Sequence, residues 1–128
     1  MNIGILEDNP AILDYMTIAL EMAGHHVQTF TSGNPLIDKL LTNSVIRDPL
    51  PYDLIVVDLL LPGSMSGFEA IKHIQRSIPL SRLPVIIITA GVKEEVERVQ
   101  TALPDVPILR KPFKMSDLLR LIENLQAV

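Results

Sequence analysis

The segment Leu54-Ile55-Val56-Val57-Asp58 decides the fold. Its four apolar residues run without a polar break and stop at a carboxylate. A strand with one face in water alternates apolar and polar residues. An unbroken run is buried on both faces, as parallel strands are beneath covering helices. Asn2–Leu6 (NIGIL) and Val85–Thr89 (VIIIT) read the same way, the first followed by Glu7-Asp8 and the second ending on Thr89. Two weaker runs flank them. His26–Phe30 (HVQTF) carries polar residues that suit a sheet edge. Val106–Arg110 (VPILR) contains Pro107, which cannot donate to a ladder and belongs at the other edge.

Between these runs the period changes to that of a helix. Ile12, Tyr15, Met16 and Ala19 form one expected face, and Leu118, Leu121, Ile122 and Leu125 another. Val92, Val96, Val99 and Leu103 make a thin apolar stripe on the charged segment KEEVERVQ. Start signals agree: Asn9-Pro10 and Asn34-Pro35 each pair an N-cap with proline at the first helical position, and Ser66 with Glu69 has capping-box spacing. Gly24 suits the C′ position after the first helix. Residues 42–53 read as a long loop. The pattern is a single-domain (βα)5 chain, with right-handed crossovers placing helices on both faces of a five-stranded parallel sheet.

Composition narrows the function. With 128 residues the chain has room for one core, so 1–128 is expected to be one domain. A net charge of -4 argues against nucleic-acid binding by this domain. Cysteine is absent, which excludes disulfides, thiolate metal sites and cysteine nucleophiles. No apolar run approaches the roughly 20 residues of a membrane helix. The start of the chain lacks signal-peptide character, so a cytoplasmic location is expected.

In an open parallel sheet the strand ends share one edge, and ligands bind there. Glu7, Asp8, Asp58, Thr89 and Lys111 all follow or end expected strands. Singly, each is ordinary: an acidic loop pair, a loop-starting aspartate, a β-branched strand residue, a surface lysine. Gathered at one edge, they form an acidic pocket with one cation. Magnesium takes oxygen ligands, usually one or two carboxylates with waters. Asp8 and Asp58 are candidate ligands, with Glu7 and the backbone carbonyl of Leu60 as further oxygens. A carboxylate can act as nucleophile toward phosphorus, and Asp58 is the best placed. Lys111 offers a mobile cation and Thr89 a hydroxyl donor to phosphoryl oxygens.

These residues carry a family resemblance. The acidic pair Glu7-Asp8, Asp58 with Pro62 four residues on, Thr89-Ala90 and Lys111-Pro112-Phe113 together resemble the receiver domain of bacterial two-component response regulators (the CheY-like family), over essentially the whole chain. The resemblance implies a flavodoxin-like sheet of strand order 2-1-3-4-5. It also implies phosphorylation of Asp58 with Mg2+ held by Glu7, Asp8, Asp58 and the Leu60 carbonyl. Lys111 would pair with the phosphate, and Thr89 would turn toward it as a switch. The Lys111-Pro112 bond is usually cis in such domains. The phosphoryl donor would be a sensor histidine kinase or a histidine phosphotransfer protein, and the chain would turn over no outside substrate.

Three features depart from the family pattern. Ile108 stands where an aromatic switch residue is common. Gly67 falls one residue later than usual after Pro62. Leu60 and Gly91 occupy positions that influence water attack on the acyl phosphate in similar domains, and apolar Leu60 implies a long-lived phosphate. The Lys93, Arg98 and Arg110 side chains fall on the region that signals in the family. The alternative is a degenerate receiver that docks partners without phosphorylation; Ile108 favours it and the intact acidic set opposes it. An aspartyl phosphatase would need a second acid at Leu60, and a flavin carrier would need a phosphate-cradling loop where EDNPA stands. The output partner, an output domain outside this chain, and a homodimer are all left open.

Overall fold

The computed structural model describes residues 1–46, 51–61, 65–76 and 83–126. Strands and helices alternate: β1 (Asn2–Leu6), α1 (Pro10–Met22), β2 (His26–Phe30), α2 (Gly33–Ile46), β3 (Leu54–Asp58), α3 (Gly67–Arg76), β4 (Val85–Thr89), α4 (Lys93–Ala102), β5 (Ile108–Arg110) and α5 (Met115–Gln126). The five strands are parallel, in order β2-β1-β3-β4-β5. This is the expected flavodoxin-like arrangement, with the two weaker runs at the edges.

The central strands are buried on both faces, and neighbouring residues part company as the pleat requires. Val57 and Ile87 join Leu36, Leu40, Ile71 and Val99 under α2, α3 and α4. Val56, Ile86 and Ile88 join Met16, Leu20, Leu118 and Ile122 under α1 and α5. Each such side chain contributes about 1.5–3 kcal/mol relative to exposure. A one-residue register slip would exchange the two sets, so packing pins the strand ends that carry the site.

Local signals explain several boundaries. The Asn9 side chain accepts from Ala11 N–H at 2.9 Å and Ile12 N–H at 3.2 Å, capping α1. Gly24 follows the α1 C-cap with φ +94°, a conformation that costs glycine nothing. Ser66 and Glu69 form the capping box at the start of α3: Glu69 N–H donates to Ser66 Oγ at 3.1 Å, and Ser66 N–H reaches Glu69 Oε1 at 3.5 Å.

Elsewhere the packing differs from the expectation. The buried stripe of α1 is Leu13, Met16 and Leu20, whereas Tyr15 is 50% exposed. Of the expected face, Met16 is buried and Ile12 packs against the core, so the apolar surplus on this helix misplaced the stripe only in part. Val92 is the exposed N-cap of α4, leaving Val96, Val99 and Leu103 as its buried stripe. Helix α2 begins at Gly33, so Asn34 and Pro35 lie inside its first turn and Asn34 is not the N-cap. The same helix runs to Ile46, so 42–46 are helical rather than loop; 47–50 lie outside the described residues. Tyr52 belongs to the core. Strand β5 is only Ile108–Arg110, beginning after Pro107. His26 and His73 are exposed and His25 is half-buried. Met16 and Met115 pack in the core on the α1–α5 side, but Met22 is 85% exposed. No helix among the described residues is long and apolar enough to cross a membrane.

Candidate functional site

The site lies where β1, β3, β4 and β5 end. Glu7 follows β1, and its N–H continues the ladder to Phe30 O at 3.0 Å. Helix α1 starts three residues later, so the acidic pair sits in a short, capped turn. Asp58 closes β3 opposite Ile88, one residue before Thr89 on the adjacent strand. Lys111 follows β5, with its N–H donating to Thr89 O at 2.7 Å. The Lys111-Pro112 peptide bond is cis, as expected. Residues far apart in sequence thus meet at one edge.

Lys111 Nζ donates to Glu7 Oε1 at 2.7 Å and to Asp58 Oδ2 at 3.2 Å. Glu7 is fully buried, Asp58 is 3% exposed and Asp8 faces solvent. Each of these three carboxylates offers an oxygen within 4.8 Å of the others. One cation therefore bridges two buried acids, with a third, solvent-facing acid beside them. Burial, first, and then the adjacent Asp58 carboxylate push the Glu7 carboxyl up to about 7, against the opposing pull of Lys111. For Lys111, burial alone would lower the pKa. The hydrogen bond to Glu7 and the two negative charges outweigh it, so the ammonium is held above its ordinary value.

The second oxygen of Glu7, Oε2, is buried with no hydrogen-bond partner among the described residues. An orphaned buried acceptor in a cluster of carboxylates fits a hard divalent cation. Glu7, Asp8 and Asp58 are the side chains that suit it.

Leu60 N–H donates to Asp58 Oδ1 at 3.1 Å, orienting the carboxylate, while the Leu60 side chain is 44% exposed. The Thr89 hydroxyl is buried and accepts from Gly91 N–H at 3.0 Å. Ile108 is not at the pocket. It pairs in register with Ile87 and packs against the core on the α2–α4 side. Pro62 and the loop residues 63–64 lie outside the described residues.

Gly67 has a role that its spacing did not reveal. A Cβ there would stand 2.0 Å from the carbonyl oxygen of Asp58. Only glycine lets the start of α3 press against the strand end that carries Asp58. The available signal was a glycine directly after a capping serine, where a better helix former would ordinarily stand.

Residues 3–123 match the response regulator receiver domain family. The DNA-binding dual master transcriptional regulator RpaA of Synechocystis is 30% identical over 123 residues, covering 94% of this chain and 47% of that protein. The chain thus spans about half the length of this relative. The response regulator receiver protein CpdR of Brucella abortus is 27% identical, with 94% of this chain and 92% of that protein covered. The receiver domain of the sensor histidine kinase PA1611 from Pseudomonas aeruginosa, solved with magnesium coordinated in its active site cleft, has the same fold. Its TM-score is 0.77 at 24% identity, covering 99% of this chain and 98% of that one. With the five-stranded sheet and the acidic strand-end cluster, the match over residues 3–123 establishes that the chain belongs to the receiver domains of two-component response regulators.

Proposed function

We propose that this receiver is a working phospho-acceptor and that Asp58 takes the phosphoryl group. The observation that carries this is the Lys111 ammonium bridging Glu7 and Asp58 beside the unpartnered Glu7 Oε2. A docking-only domain has no use for such an unbalanced buried set, which lowers stability unless a cation offsets it.

In the proposed step, a carboxylate oxygen of Asp58 attacks phosphorus. The bond from phosphorus to the donor's histidine nitrogen breaks, the donor leaves with the electron pair, and an acyl phosphate remains. Leu60 N–H holds the Asp58 carboxylate in orientation through Oδ1. Lys111 releases Asp58 Oδ2 and follows the charge onto a phosphoryl oxygen, its mobile stem allowing the exchange. Thr89 turns its hydroxyl to donate to another phosphoryl oxygen. Glu7, Asp8 and Asp58, with the Leu60 carbonyl, would hold magnesium, which would supply charge neutralisation. Positioning and electrostatics suffice for this chemistry; no general base is required. The acceptor reacts once per phosphoryl group, so the chain is a signalling module rather than an enzyme acting on outside substrates.

The donor in this proposal is a sensor histidine kinase or a histidine phosphotransfer protein. An apolar cleft of about 370 Å³, lined by Ile12, Tyr15, Ala90, Lys111, Pro112 and Phe113, opens beside the site and offers such a protein a seat. Residues 1–128 act as one receiver unit in the cytoplasm, passing their state to an output partner or domain. RpaA, a DNA-binding regulator about twice as long, supports the second arrangement, and CpdR, of similar length, the first.

The test is intact mass after incubation with acetyl phosphate, with and without magnesium, for the wild type and Asp58→Ala. One added phosphoryl group, dependent on magnesium and absent from the variant, is expected. No gain by the wild type overturns the proposal in favour of a docking module.

A further inference from the structure

Thr89 and Arg110 are register partners on β4 and β5. Side chains alternate along a strand, so Thr89 shares a face with Ile87, and Arg110 shares it with Ile108. That is the face covered by α4. Gly91 lies between the two. Its N–H donates to Thr89 Oγ1 at 3.0 Å, and its carbonyl accepts from an Arg110 guanidinium nitrogen at 3.4 Å. The Gly91 peptide segment is therefore held at one end by the threonine and at the other by the arginine. A Cβ on Gly91 would stand 3.0 Å from Glu95 Oε2 and 3.1 Å from Thr89 Oγ1, so the position suits a residue without a side chain.

We propose that Arg110 is a positioning residue that restrains Thr89 in its unphosphorylated orientation, acting through Gly91. This rests on the phospho-acceptor reading of Asp58. For the Thr89 hydroxyl to turn toward a phosphoryl group, it must release Gly91 N–H. That donor is buried and needs another partner, so the loop must move with the side chain. Movement of the loop carries the Gly91 carbonyl off Arg110. The arginine accordingly opposes the turn, and the turn frees the arginine on the sheet edge. Ile108, two residues earlier on the same face, has no polar atom with which to make such a link. In this chain the state of the threonine reaches the β5 edge through a guanidinium rather than through a ring.

The experiment titrates the full chain with beryllofluoride, a phosphoryl mimic, in excess magnesium. It follows the Gly91 amide and Thr89 methyl resonances. Arg110→Ala and Arg110→Gln remove or shorten an exposed side chain and leave the core intact. Both are expected to tighten the apparent affinity by about two- to tenfold, the value of one hydrogen bond acting on a two-state equilibrium. In the ligand-free protein they should move the Gly91 amide toward its bound position, a shift that a merely structural role would not produce. Adding Arg110→Ala to Thr89→Val should change nothing, because the link is already cut. Equal affinities for wild type and variant overturn the proposal, as does an arginine effect that persists in Thr89→Val; either leaves phospho-acceptance standing. No beryllofluoride binding and no phosphoryl gain by the wild type would sink phospho-acceptance and the restraint together.

Discussion

Lys111 Nζ sits closer to Glu7, at 2.7 Å, than to Asp58, at 3.2 Å. The cation that would serve the phosphoryl group is thus parked partly on the acid that has the most unmet need for it. Glu7 is fully buried, and its other oxygen has no partner among the described residues.

Removing the lysine leaves two buried acids facing each other. Lys111→Met should lower stability at pH 7.5 by about 1–3 kcal/mol, read from urea unfolding. Magnesium should recover part of that loss by offsetting the same charge. A variant as stable as the wild type in the absence of magnesium would show that the bridge adds nothing to the fold.

Glu7 should make stability depend on pH. Its carboxyl is raised from the ordinary 4.5 to about 7, chiefly by burial, so the folded chain holds the proton more tightly than the unfolded one. The stabilising effect is fully present below about 4.5 and is lost as pH rises through about 7. Glu7→Gln keeps an acceptor for Lys111 and removes the titration. Without metal, the variant should exceed the wild type by about 1–3 kcal/mol at pH 8, with the gap closing toward pH 5. Thermal unfolding across this range checks it; a gap that widens on acidification would contradict the assignment.

Gly67→Ala should be severe for a helix-start substitution. The added methyl would lie 2.0 Å from the Asp58 carbonyl oxygen, and backbone cannot rotate away as a side chain can. A loss of about 3 kcal/mol or more is expected, with slower phosphorylation in the fraction that folds because Asp58 shifts with its peptide. Urea unfolding and acetyl phosphate kinetics measure the two effects.

On the proposed phospho-acceptor reading, Leu60 is expected to set the lifetime of the phosphate. Its apolar side chain, two residues after Asp58, is 44% exposed and has no group with which to hydrogen-bond an attacking water. The acyl phosphate should therefore persist, and Leu60→Asn should hasten its loss by about tenfold, the rate equivalent of one hydrogen bond to that water. Equal decay in the two proteins would assign the lifetime to other residues.

The strands were legible because burial on both faces leaves a plain mark: LIVVD and VIIIT contain no polar residue before their ends. The acidic pair, Asp58, Thr89 and Lys111 were legible because their order along the chain matches strand ends. Helix faces were harder to read. On α1, Tyr15, Ile18 and Met22 supply apolar residues beyond those the sheet covers, so spacing alone found Met16 and Ile12 but took in Tyr15 and left out Leu13 and Leu20. The continuation of α2 through 42–46 escaped because Asn43, Ser44 and the β-branched residues there have weak helix propensity.

By itself the sequence determined the alternation of elements, the strand order through its family resemblance, and which polar groups end strands. Those follow from local burial patterns and chain connectivity. Tertiary structure decided the sharing of Lys111 between Glu7 and Asp58, the orphaned Glu7 oxygen, the contact that requires glycine at 67, and the Thr89–Gly91–Arg110 link. Each depends on separations between groups on different strands and loops that a shift of a few tenths of an ångström would alter. Such distances are set by how the two core layers pack, and no spacing along one chain segment encodes them.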